Sequence, residues 1–151
     1  MIDRGLTISA IRKIEGLTFH VKTIESAPLS EWYQSILDFS LEKLPDGDLA
    51  RLIRQKKHLN FVLWEALIRI SNNPIVGELY DGEVINSLNK VTSEYWNDNI
   101  RLLDDFLVTL SRAYIARKEN SFTFNEKIDE EEYYSMLDVT ISYLQEIRNR
   151  N

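Results

Sequence analysis

Cysteine is absent from the chain, which excludes disulfides, thiolate metal sites and cysteine nucleophiles at once. Glycine and proline are scarce, at five and three residues, and this disfavours a β-sandwich or barrel with its many tight turns. Histidine occurs only twice, as His20 and His58, too few without thiols for an ordinary zinc site. No stretch approaches the roughly 18 consecutive apolar residues of a membrane span. The opening Met-Ile-Asp-Arg-Gly lacks the charged-then-apolar pattern of a secretory leader. Phosphate-cradling glycine loops, nucleophile elbows and metalloprotease helices are all missing. These absences predict a cytoplasmic protein with no membrane partner, no metal and no cofactor.

What is present is globular material. Apolar residues make up 44% and charged residues 28% of 151, ordinary values that argue against disorder. The length suits one domain with a single core. The net charge of −6 argues against nucleic acid as a direct ligand, because phosphate binding needs clustered Lys and Arg. The charge is uneven. Residues 1–77 hold 10 Lys/Arg and 9 Asp/Glu, residues 78–105 hold 2 and 7, and residues 106–151 hold 6 and 8. The middle segment is the acidic one.

Periodicity predicts an all-α fold, a single-domain bundle of about six helices over residues 1–151. In 1–28, Ile8, Ile11 and Ile14 share one helical face, Gly16 ends that helix, and Leu17 to Ile24 reads as an extended packing segment. Ser30 is expected to cap a helix burying Tyr33, Ile36, Leu37, Leu41 and Leu44, stopped by Pro45. Asp46-Gly47-Asp48 reads as a tight turn whose Asp48 caps the next helix, with Leu49, Leu52 and Ile53. Residues 58–72 are apolar on most sides, which places that helix at the centre of the fold. Asp81 is expected to cap a short helix with Val84, Ile85 and Leu88. A long helix with Leu103, Phe106, Leu107, Leu110 and Tyr114 follows Tyr95-Trp96. After a polar loop near 118–127, Asp129 and Glu132 suggest a capping box for the last helix, so 98–151 reads as two C-terminal helices.

Candidate chemistry is sparse. His58 and Glu65 lie seven apart, which a helix places on roughly one face, as an acid–base pair would need. The bland alternative is a half-buried histidine beside an unrelated carboxylate. Asp104 and Asp105 are adjacent and point to different sides of a helix. Glu130 to Glu132 suit a helix N-terminus. The basic run Arg51, Arg54, Lys56 and Lys57 reads as a solvated face.

Three stretches carry a resemblance: Pro45 to Gln55 (Pro-Asp-Gly-Asp-Leu-Ala-Arg-Leu-Ile-Arg-Gln), Leu59 to Leu67, and Asn73 to Glu83 (Asn-Pro-Ile-Val-Gly-Glu-Leu-Tyr-Asp-Gly-Glu). With Tyr95-Trp96 they resemble the immunity proteins of bacterial contact-dependent growth inhibition (CDI) systems, over roughly residues 29–97. The resemblance implies an inhibitor, not an enzyme. Its partner would be the C-terminal toxin domain delivered by a neighbouring cell, whose active site or substrate face it would block. Many such toxins are nucleases with basic faces, which an acidic inhibitor would complement. Caps and turns suffice to explain Gly47, Asp48, Pro74, Gly77 and Gly82, and these are expected to be scaffold together with Leu52, Arg54, Gln55, Tyr80 and Trp96. Arg54 and Gln55, near a helix end, would bond exposed carbonyls. Toxin contacts are expected from exposed acids nearby: Glu78, Asp81, Glu83, Glu94, Asp98, Asp104 and Asp105. Two other readings stay open, a helical adaptor or regulator without a toxin partner, and a hydrolase built on His58 and Glu65.

Overall fold

A computed structural model describes residues 2–16, 27–118, 124 and 127–151. The expected extended segment from Leu17 to Ile24, with His20, lies outside the described residues, as does most of the polar loop before the last helix. Among the described residues the fold is all-α. Its eight helices are α1 (Ile8–Ile14), α2 (Ala27–Ser35), α3 (Asp46–Arg54), α4 (Leu59–Asn72), α5 (Glu83–Ser87), α6 (Ser93–Asp98), α7 (Ile100–Lys118) and α8 (Lys127–Asn149). Single 3-10 turns occupy Leu41–Lys43 and Leu88–Lys90.

One continuous hydrophobic cluster runs through these elements. Helix α4 lies in the middle, packed on α3, α5 and α7, and buries Val62, Leu63, Ala66 and Ile70. Its outward side is less apolar in practice than in composition, since Trp64 is 36% exposed. Helices α7 and α8 pair along Leu103, Phe106 and Leu110 on one side and Tyr133, Leu137, Leu144 and Ile147 on the other. Trp96 is fully buried, with its ring edge-on to Phe106 at 5.6 Å. That geometry suits the aromatic quadrupoles and anchors α6 beneath α7.

Helix α6 is a separate element before α7 and raises the count above the expected six or so. Thr92 caps it by accepting from the Tyr95 N–H, and the Asn99 side chain closes it by donating to the Tyr95 carbonyl. In α1, Ile8 and Ile11 are buried as their spacing predicts, but Ile14 is 59% exposed. Gly16 ends that helix at φ +79, the left-handed conformation that favours glycine.

Several expected caps are corrected. Ser30 lies inside α2, which begins at Ala27 and stops at Ser35. Leu41 and Leu44 are buried but not helical with it. The N-terminal segment takes the backbone between: Ile8 and Ser9 donate to the Phe39 and Leu37 carbonyls, and Leu41 donates to Leu6. Tertiary hydrogen bonds thus outcompete continuation of the helix. Asp46-Gly47-Asp48 is no turn but the first turn of α3, with Pro45 at the N-cap position. Asp48 therefore caps nothing, and its carboxylate accepts from the Trp32 indole N–H at 2.8 Å. Gly82, not Asp81, holds the N-cap position of α5. Asp129 lies within α8, which starts two residues earlier, at Lys127.

Candidate functional site

The segment from Asn73 to Glu83 is irregular, yet it is bonded on every side. Glu83, the first residue of α5, is fully buried. One of its carboxylate oxygens accepts the backbone N–H groups of Glu78 (2.9 Å) and Leu79 (3.1 Å), and the other lies 3.4 Å from an Arg54 guanidinium nitrogen. A buried carboxylate is tolerable only when so paired, and here the pairing folds the loop around it. Arg54 thus reaches a carboxylate and not the helix-end carbonyls expected of it. The Gly82 and Val84 N–H groups close the loop on the Ile75 and Val76 carbonyls.

Two glycines are required by this packing. A Cβ on Gly77 would lie 2.2 Å from the Tyr80 carbonyl oxygen. Gly82 has φ +87, and a Cβ there would meet Met136 and Tyr133 of α8 within 2.7 Å. Tyr133 also donates to the Pro74 carbonyl at 3.1 Å, and burial pushes its phenol pKa up. On the other flank the Glu78 carboxylate accepts from the Gly47 N–H at 3.0 Å, an approach that a Cβ on Gly47 would block. The loop is thereby tied to both ends of α3 and to α8. At its tip Leu79 is 78% and Tyr80 45% exposed.

Beside that tip lie two adjoining cavities. The smaller, about 200 Å³, is lined by Tyr80, Asp81, Asn86, Glu132, Tyr133 and Met136. The larger, about 460 Å³, shares Tyr80 and Asn86 and runs on to Arg54, Lys90, Val139 and Tyr143. The Asn86 amide donates to the Tyr80 hydroxyl at 2.8 Å, which fixes the ring between them.

The seven acids expected at the surface do not all reach it. Glu78, Glu94, Asp98 and Asp105 are exposed, and Asp81 and Asp104 are partly so. Asp104 pairs with Arg148 of α8 at 2.6 Å. Glu83 is the exception, because its burial removes it from any contact surface. The remaining acids fall into two sets, Glu78 and Asp81 on the loop and the other four on α6 and α7. Among the expected scaffold residues, Leu52 and Trp96 are fully buried. Gln55 is exposed at the end of α3, where its backbone N–H caps the Arg51 carbonyl.

His58 and Glu65 are not brought together. His58 sits at the N-cap position of α4 with φ +58, a left-handed conformation strained for a non-glycine residue. Its Nδ1 pairs with Glu15 and its Nε2 lies 2.6 Å from the Tyr33 hydroxyl. Glu65 faces another network: both its oxygens accept from Arg4 (2.8 and 2.9 Å), and one also accepts from Arg69 (3.1 Å). Burial alone would raise the Glu65 carboxyl, but the two guanidinium groups hold it below the usual range. Arg69 continues to Asp46 (2.8 Å) and to the Leu41 carbonyl (2.7 Å). The basic run is partly engaged as well, with Arg51 4.3 Å over the Trp32 ring and Lys57 5.1 Å over Tyr33. Among the described residues, no cluster of three or more potential metal ligands occurs, and no helix is long and apolar enough to cross a membrane.

These features define an all-α protein in which the buried acids Glu65 and Glu83 join elements of the fold. The family model of CDI immunity proteins matches residues 13–106, well over half of the chain, and the chain belongs to that family. The match runs from the end of α1 into α7, wider than the 29–97 carried by the motifs, and leaves α8 outside. No curated protein matches the chain. Membership implies a cognate CDI toxin as partner.

Proposed function

We propose that this protein acts in the cytoplasm by binding the C-terminal toxin domain of its cognate CDI effector and covering the toxin's active site or substrate face, without catalysis of its own. The family match over residues 13–106 carries this reading. The six acids of residues 78–105 that stay at or near the surface, against Lys90 and Arg101, support it, because an acidic inhibitor complements a basic nuclease face and speeds encounter with it. The motif residues Gly47, Asp48, Leu52, Pro74, Gly77, Gly82 and Trp96 serve as scaffold in this account. The separation of His58 from Glu65, each inside its own network, favours inhibition over hydrolysis. The test is co-expression with the toxin domain encoded directly upstream, followed by purification through a tag on the toxin. A stable complex lacking toxin activity is expected. A toxin that purifies alone and fully active contradicts the proposal.

A further inference from the structure

The two cavities that meet at Tyr80 form a groove. It is continuous across an aromatic ring, and the ring is fixed by Asn86 on a loop held rigidly from beneath by Glu83. Val139, an apolar side chain 62% exposed on α8, is among the residues that line it. Its ends differ in charge, with Asp81 and Glu132 at the smaller cavity and Lys90, near the Glu83-paired Arg54, at the larger. A uniformly acidic surface attracts a basic partner but does not orient it, whereas opposite charges at the two ends fix a direction. Tyrosine in a preformed hollow is a typical interface anchor, since it adds large contact area for little lost freedom.

From this we infer that the Tyr80 groove is the anchoring site for the cognate toxin, and that it takes a protruding toxin segment of dipolar character. Resting on the function proposed above, the inference places a toxin Arg or Lys in the smaller cavity, against the Tyr80 ring and between Asp81 and Glu132. An apolar residue packs on Val139, and a carboxylate meets Lys90. Tyr80 thereby passes from scaffold to interface, and Glu83 acts on binding only by shaping the loop. The groove also joins α5, inside the family-matched region, to α8, outside it.

The probe is the catalytically inactivated toxin domain encoded directly upstream, with binding kinetics measured on wild type, Tyr80→Ala, Val139→Asp, Glu132→Lys and Lys90→Glu. All four substitutions are at surface positions, so unchanged melting temperatures are expected. Tyr80→Ala should weaken binding about 30-fold or more, nearly all of it in dissociation rate. Val139→Asp should weaken it about tenfold or more, and the two charge reversals should each weaken it measurably. Val108→Asp, an exposed apolar position on α7 that lines neither cavity, should bind like wild type. Wild-type affinity in both Tyr80→Ala and Val139→Asp, with the wild-type chain binding the toxin, overturns the groove but leaves the proposed function standing. Loss of self-association in those variants at unchanged toxin affinity would give the groove to a second copy of this chain, and also overturns it. A wild-type chain that does not bind the toxin overturns both.

Discussion

Glu65 and Glu83 are both covered carboxylates, yet their partners differ in kind. Glu65 is held by guanidinium groups from the N-terminal segment and from its own helix, Arg4 and Arg69. That arrangement locks α4 to the N-terminal segment packed against it. Glu83 is held mostly by main-chain N–H groups, those of Glu78 and Leu79, with Arg54 at a longer distance. That arrangement gives an irregular loop a single shape and leaves its tip outside. One buried acid therefore serves the interior and the other serves a surface. Removing the first should damage the fold broadly, whereas disturbing the second should act on both the loop and whatever binds it.

The largest effect is expected from Glu65→Gln. It takes from Arg69, only 12% exposed, one of its two carboxylate partners and leaves Asp46, and a broken buried pair costs about 3–5 kcal/mol. Because Arg4 is 40% exposed and can turn to water, the low end of that range is expected in urea denaturation. The same substitution should alter acid stability. The folded-state carboxyl of Glu65 lies below its unfolded value, so its contribution is complete above the ordinary carboxylate range and is lost as pH falls through the lower folded value. Wild type should therefore lose stability toward acid more steeply than Glu65→Gln. Parallel curves would mean that the fold does not shift the Glu65 carboxyl from its unfolded value.

Next comes Gly82→Val, which combines a positive φ with a side chain driven into Met136 and Tyr133. Strain of this kind costs about 1–3 kcal/mol. Melting temperature and toxin affinity should fall together, because the loop that carries Tyr80 must move. Lowered stability with unchanged affinity would separate the loop from recognition.

Smallest are the exposed acids of α6, Glu94 and Asp98. Neutralising either should slow association by less than about threefold at low salt and have no effect on it at high salt. An on-rate indifferent to salt in the wild-type protein would remove steering from the account.

The helical class, the central position of α4 and the buried face of α7 were legible in the sequence, because 3.6-residue periodicity is a local signal. Caps were less so. Ser30, Asp48 and Asp81 are each good N-cap residues, but Pro45 and Gly82 hold the cap positions of α3 and α5, and Trp32 takes the Asp48 carboxylate. Composition made Glu83 look like one more surface acid in an acidic segment. Its burial depends on where the Glu78 and Leu79 N–H groups point, which no spacing rule encodes. The Arg4–Glu65 pair spans 61 residues, and its partner could not be read from either end. The groove was hidden for the same reason, since Tyr80 and Val139 meet only once α8 has folded back on α5.

The central claim is that protection comes from occupation of the toxin and not from turnover, and a stoichiometric titration tests it most directly. A fixed amount of the purified toxin domain, well above its dissociation constant, is mixed with increasing amounts of this protein, and residual toxin activity is read at equilibrium. The account predicts a linear fall that reaches zero near one chain per toxin domain. Complete inactivation by far less than one equivalent, progressing with time, would show a catalytic protein and contradict it.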